Sequence, residues 1–358
     1  MSMRRRLLAM AGFGLVVLFV VVVLAFGFPS LNEEESNSRL RPCSQDARDI
    51  VLPLGVESVA GRWSPLRPLP VAQTELGAAA VGNIVYVSGG LRQSGSDLVS
   101  TDFFLAFDPS RGTYRKVPQL PRRVDHPGIV AAGGDLYLIG GFHDGVPTDE
   151  MFTYSPRTRT WQQLSSMGVP RGSPATAAIG RHIYVSGGNV GNRDTRDAPT
   201  NVVEIYDLST GRWSRGPVMP TARHHAGAAA IGDDVYVVGG RAGRDLSLDV
   251  VERYDSRTRR WETAPHLPQG VGALALVAAR GRLVAVGGGD DAEEWVTPGT
   301  WSFEPGTGRW RRLSDLTVAR HGHAAAAVGD EIYGFGGAPC ASYGRTDSVE
   351  KLTLSSEP

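Results

Sequence analysis

Arginine, histidine and carboxylate side chains gather in two kinds of short polar stretch along this chain. The first kind holds Gln73 and Glu75, Asp125 and His126, Arg171 and Ser173, Arg223-His224-His225, and Arg320, His321 and His323. The second holds Arg92, His143 and Asp144, Asn192-Arg193-Asp194, Arg241 with Arg244 and Asp245, and the acidic run Asp290, Asp291, Glu293 and Glu294. Guanidinium forks bind carboxylates two-handed, so an entrance lined by these groups suits acidic or sugar-acid ligands. From the two sets, the candidate binding residues are Arg92, His126, His143, Arg171, Arg193, Arg223, His225, Arg241, Arg320 and His323. No residue is assigned a catalytic role. Six of the eight histidines fall in these stretches, yet no HExxH or other compact ligand spacing occurs, and no metal or cofactor is expected. The acidic run has the oxygen ligands of a calcium loop but reads as a solvated surface loop. Neither a GxSxG elbow nor a P-loop is present.

The elements that must carry these stretches follow from an internal repeat. A Gly-Gly pair closes an apolar run at 89–90, 140–141, 187–188, 239–240, 287–288 and 336–337. An aromatic residue stands 26 positions before each pair: Trp63, Tyr114, Trp161, Trp213, Trp261 and Trp310. A further aromatic precedes five of these by seven positions: Phe107, Tyr154, Tyr206, Tyr254 and Phe303. A period near fifty residues means a stacked or radial repeat architecture. Each unit reads as four short strands: a of small apolar residues, b ending in Gly-Gly, c with Tyr or Phe, and d with Trp. The a–b links contain Gly82, Gly133, Gly180, Gly232 and Gly329, as tight hairpins demand.

With its IYVSGG, LYLIGG, VYVVGG and IYGFGG runs and its VEIYDLSTGRW and VERYDSRTRRW segments, the chain resembles the Kelch family over about residues 59–354. That resemblance implies an all-β, six-bladed propeller. The first unit opens with a strand d around Trp63 and the last ends after a strand c, so the N-terminal strand is expected to complete the last blade. Val284 and Leu352 replace the usual aromatics, and looser packing is expected there. Length varies only between strands b and c, which marks the face formed by b–c and d–a loops as the working face. Galactose oxidase has a related propeller, but its copper chemistry needs a cysteine-linked tyrosine. Cys43 and Cys340, the two cysteines here, lie at the edges of the repeat region, which excludes that activity. Bacterial sialic-acid mutarotases are also six-bladed Kelch propellers, and a sugar-acid enzyme is the alternative to a binding module for protein or carbohydrate.

Residues Leu7 to Phe28 form an uncharged apolar run, long enough to cross a bilayer as a helix. Arg4, Arg5 and Arg6 precede it and Glu33, Glu34 and Glu35 follow, so 1–6 is expected in the cytoplasm and the rest outside, in an extracellular or periplasmic space. Residues 29–58 then read as a stalk, 59–354 as the propeller and 355–358 as a tail. Outside the membrane Cys43 and Cys340 can oxidise, pinning the N-terminal segment to the last blade. Acidic and basic residues balance at 37 each, which removes the basic surplus that nucleic-acid binding requires.

Overall fold

Six four-stranded antiparallel sheets account for the six repeats. The computed structural model describes residues 61–194, 197–243, 246–291, 294–340 and 344–354. In blade 1 the strands a to d are Gly77–Val81, Ile84–Ser88, Phe104–Asp108 and Thr113–Lys116. Blades 2 to 5 repeat the order, with their b strands at Asp135–Ile139, His182–Ser186, Asp234–Val238 and Arg282–Val286. Blade 6 takes a, b and c from Ala324–Val328, Glu331–Phe335 and Val349–Thr353, and its outer strand from Trp63–Pro65. That closing strand pairs Trp63 with Leu352 and Pro65 with Glu350, as expected from the order of the repeats. The predicted membrane segment Leu7–Phe28, the stalk and Cys43 lie outside the described residues. Among the described residues no helix is long and apolar enough to cross a membrane.

The composition of each strand matches its radius in the ring. Strand a touches strand a of both neighbours all the way round, and its Ala and Gly residues are what that crowding admits. Strand b is sandwiched between blades, so its last four residues are buried in every blade, with no polar alternation. Strand d is the edge, and sequences such as Arg-Trp-Ser-Arg (212–215) and Arg-Trp-Arg-Arg (309–312) keep it charged, which discourages edge pairing. The strand-d indoles tie blades together: Trp161 Nε1 donates to the Pro118 carbonyl at 3.1 Å, Trp213 to Ser165 at 2.8 Å, and Trp261 and Trp310 to Pro217 and Pro265 at 2.9 Å.

Both glycines of every Gly-Gly pair have positive φ, from 58° to 65° at the first and 96° to 110° at the second. A Cβ on the first would run into the carbonyl oxygen of the following d–a segment. The second glycine donates its N–H to that same carbonyl at 2.9–3.0 Å, on Val124, Arg171, Arg223, Val271, Arg320 and Gln73 in turn. The repeat's most constant mark is thus a backbone latch between neighbouring blades, and only glycine fits it.

The looser packing expected where Val284 and Leu352 replace aromatics is not what the ring shows. Both are 0% exposed in a cluster with Trp63, which is itself 1% exposed. Trp63 differs from the other strand-d indoles: its Nε1 donates to Thr300 Oγ1 of blade 5 at 3.0 Å. The large ring has moved inward and fills the volume that the smaller side chains release.

Candidate functional site

Each d–a segment turns toward the propeller axis, and the residue 14 positions before the first glycine of each pair occupies the tip: Glu75, His126, Ser173, His225, Ala273 and Gly322. All six have φ between 50° and 57°. Backbone hydrogen bonds join them side to side. Glu75 donates to Gly322 (2.6 Å), His126 to Glu75 (3.1 Å), Ser173 to His126 (3.0 Å), Ala273 to His225 (2.9 Å) and Gly322 to Ala273 (2.9 Å). Ser173 Oγ meets His225 Nε2 at 3.2 Å across the remaining step. The result is an annulus around the axis, polar over blades 1 to 4 and small over blades 5 and 6. A pocket of about 100 Å³ lies against it, lined by Glu75, His126, Ser173, His225, Ala273, Gly322, His323 and their neighbours.

The polar half of the annulus is wired to the b–c loops. Asp125, 0% exposed, bonds His126 Nδ1 at 2.6 Å through Oδ1, and accepts from Ser100 (2.5 Å) and Arg193 (2.8 Å) through Oδ2. Burial works against the Asp125 charge, but His126, Arg193 and Ser100 outweigh it and hold the carboxyl below its ordinary range. His126 Nε2 stands 3.1 Å from Glu75 Oε2. Burial alone would lower the His126 pKa, yet the Glu75 and Asp125 carboxylates raise it above the usual value. On the other side, Asp197 contacts His224 Nε2 at 2.6 Å, and His224 Nδ1 meets His225 Nδ1 at 2.5 Å. Burial, then the neighbouring His224, keeps His225 neutral, with its pKa well below the ordinary value.

The candidate residues divide by position. His126 and His225 line the axial pocket, and Arg193 and Arg241 come from the b–c loops of the same face without lining it. Both arginines are committed to carboxylates: Arg193 to Asp125 and Asp194, and Arg241 to Asp291 at 2.6 and 2.9 Å. Arg92 is exposed on a two-stranded ribbon, Leu91–Ser94 with Asp97–Ser100, in the first b–c loop. His143 lies on the second such ribbon and donates from Nδ1 to the Arg123 carbonyl at 2.9 Å. Cys340 is in the last b–c loop.

Arg171, Arg223 and Arg320 do not line the entrance. They are 0%, 1% and 0% exposed and turn back into their own blades. Arg223 donates to the Gly239 and Val250 carbonyls at 3.1 and 2.8 Å and pairs with Glu252, which is held in turn by Thr221. Arg171 pairs likewise with Glu204, and Arg320 with Glu350 at 2.7 Å. These three arginines fasten the d–a segment to strand c.

His323 is also buried, and neither ring nitrogen has a hydrogen-bond partner. The equivalent positions hold Leu76, Pro127, Pro174, Ala226 and Leu274. Burial keeps His323 neutral, with its pKa well below 6.5. The unfolded chain takes up a proton there that the folded chain resists, so stability falls as pH drops below about 6.5. His323→Leu is therefore expected to raise the melting temperature, with a larger gain at pH 5 than at pH 8. A loss of stability at both pH values would contradict this account.

Glu75 and Ser173 stand in the polar d–a stretches read from the sequence but outside its shorter set of binding residues, and Asp197 is in neither. Alignment on the Gly-Gly pairs would have found the first two, since all six tips share one offset. Asp197 comes from a b–c loop of variable length, where no offset applies.

A closed ring of six four-stranded blades, with an axial pocket on its loop face, defines a six-bladed β-propeller. Two family models match the sequence without a gap between them: the Kelch motif over residues 125–168 and the KLHDC2/KLHL20/DRC7 Kelch-repeats domain over residues 169–337. The chain belongs to the Kelch-repeat β-propeller family. It is 28% identical to Kelch-like protein terF of Aspergillus terreus over 303 residues, covering 78% of this chain and 65% of that protein. It is 27% identical to Kelch-like protein 35 of Mus musculus, covering 75% and 44%. The chain thus spans less than two thirds of the length of these curated relatives. The solved structure of YjhT superposes with a TM-score of 0.68 at 16% identity, over 82% of this chain and 98% of that one, a likeness of fold.

Proposed function

We propose that this Kelch propeller is a protein-binding module, held outside a membrane by the Leu7–Phe28 helix, which presents its b–c and d–a loops to a partner. One observation carries the reading. The large apolar side chains exposed among the described residues are Val71, Val146, Val190, Val218 and Leu246, and every one sits in a b–c or d–a segment. Val146, Val190 and Leu246 stand on the b–c loops of three successive blades. Apolar groups collected on one face of an otherwise charged surface mark a contact site for another macromolecule. The axial pocket supports a protein partner over a free sugar: its roughly 100 Å³ is well below the 300–1,000 Å³ of ordinary small-molecule sites, but takes one projecting side chain.

The test is cross-linking capture from membranes carrying the full chain. Val146→Asp combined with Leu246→Asp is expected to abolish the specific partner without changing the melting temperature. Arg157→Glu with Arg111→Glu, in the c–d turns of the opposite face, is expected to leave it. Equal capture by both variants would rule out the loop face. A second reading, a sugar-acid enzyme, draws on Arg241 and Asp291. Burial raises the Asp291 pKa despite the arginine beside it, so a carboxyl of altered acidity stands next to a carboxylate-binding group. That reading requires anomer interconversion of a sugar acid which Arg241→Ala eliminates.

A further inference from the structure

We propose that Glu75, His126 and His225 form a binding site for one divalent transition-metal ion of the zinc type, seated on the propeller axis. Their donor atoms come from blades 1, 2 and 4, and no two are more than 4.8 Å apart. Imidazole nitrogen and carboxylate oxygen are the ligand types such an ion takes, with bonds of about 2.0–2.2 Å. Two ligands on those bonds at a tetrahedral angle are about 3.4 Å apart. Glu75 Oε2 and His126 Nε2, at 3.1 Å, already form one edge of such a polyhedron. Bringing His225 to the same spacing takes at most roughly 1.4 Å of side-chain movement.

The surroundings orient both histidines for this role. Asp125 accepts from His126 Nδ1, which leaves Nε2 facing Glu75. Asp197 accepts from His224 Nε2, so His224 Nδ1 accepts from His225 Nδ1, and His225 Nε2 is the acceptor on the pocket side, where the Ser173 hydroxyl at 3.2 Å must turn aside for an ion to bind. A carboxylate behind each ligand histidine, direct in one case and relayed in the other, is the usual outer support of a metal site. The far half of the annulus leaves room. Ala273 and Gly322 carry no polar side chain, and a Cβ at Gly322 would collide with the Glu75 carboxylate. His321 stands beside this set without belonging to it: its Nε2 is 3.8 Å from Glu75 Oε1, and its buried Nδ1 has no hydrogen-bond partner. Three protein ligands leave a coordination position open toward the loop face. The site does not depend on whether the partner proposed above is a protein.

The experiment is a Co²⁺ titration of the untagged, chelator-stripped full chain in detergent, followed by visible absorption and by competition with Zn²⁺. One equivalent is expected to bind and give a tetrahedral-type spectrum, with Zn²⁺ displacing it and raising the melting temperature. Glu75→Gln is expected to weaken binding at least tenfold, and His126→Gln with His225→Gln to abolish it, while His143→Gln leaves it unchanged. Asp125→Asn is expected to weaken it about 10- to 100-fold by loosening His126. Melting curves of the metal-free variants identify any that fail to fold, and Glu75→Gln, nearly isosteric, then carries the decision. Binding below about 0.2 equivalents, or a spectrum unchanged by Glu75→Gln and by the double histidine variant, would overturn the assignment.

Discussion

Arg223→Met alone is expected to destabilise the propeller by about 3–5 kcal/mol, because it strands a buried carboxylate. Glu252 is 2% exposed, and beyond Arg223 its contact is the Thr221 hydroxyl. Removing the guanidinium also takes a donor from the Gly239 carbonyl and one of two donors from the Val250 carbonyl, which keeps the Gly239 N–H at 2.9 Å. The repeat itself suggests how to recover the loss. Where blades 3, 4 and 6 have Arg171/Glu204, Arg223/Glu252 and Arg320/Glu350, blade 2 has Val124 and Phe152, and blade 5 has Val271 and Trp301. The double variant Arg223→Val, Glu252→Phe imports the blade 2 solution and is expected to regain most of the stability. Arg223 Nε has no partner even in the intact pair, so the ionic version is imperfectly satisfied. Chemical denaturation of Arg223→Val, of Glu252→Phe and of the double variant gives the coupling. Additive losses would mean that the two solutions are not interchangeable.

Trp63→Ala is expected to cost about 3–5 kcal/mol and to do more damage than the same change at any other strand-d indole. Trp63 belongs to the short closing strand, packs with Val284 and Leu352, and reaches Thr300 in the next blade. It fills a volume that no neighbouring aromatic occupies, and its strand has only three paired residues to hold it. Trp310 is a fair comparison, since it is half-buried and its indole caps a carbonyl at the surface. Trp310→Ala is expected to lose clearly less. Deletion of residues 61–66 should unfold the ring altogether, since blade 6 would then present an unpaired edge. Equal losses for Trp63 and Trp310, measured by denaturant midpoint, would show that the closing strand is not the ring's weak seam.

Most of the architecture was legible because every blade repeats the same local demands. A hairpin needs a positive φ at Gly82 or Gly133, a latch needs two glycines, and an inner ring needs alanine. Each demand leaves its mark at a fixed offset. The arginines were harder. Arg193 and Arg223 are the same residue type on the same face by sequence, yet one pairs with the aspartate behind a pocket histidine and the other turns into its blade. What separates them is a partner: Glu252 waits on strand c for Arg223, while Asp125 of blade 2 draws Arg193 toward the axis. The extra packing of Trp63 was hidden for the same reason, since the space it fills belongs to a blade more than two hundred residues away.

Residue type and spacing by themselves determined the number of blades, the order of their strands, the closing strand and the face where loops vary. Those features depend on interactions within one repeat or between repeats in register, and they recur often enough to be read. Only the tertiary structure decided which polar side chains meet. Glu75, His126 and His225 lie 51 and 99 residues apart, and no local spacing links them. They converge because closing the ring brings six equivalent turn tips to one axis, where neighbours across the gap are set by the circle and not by the chain.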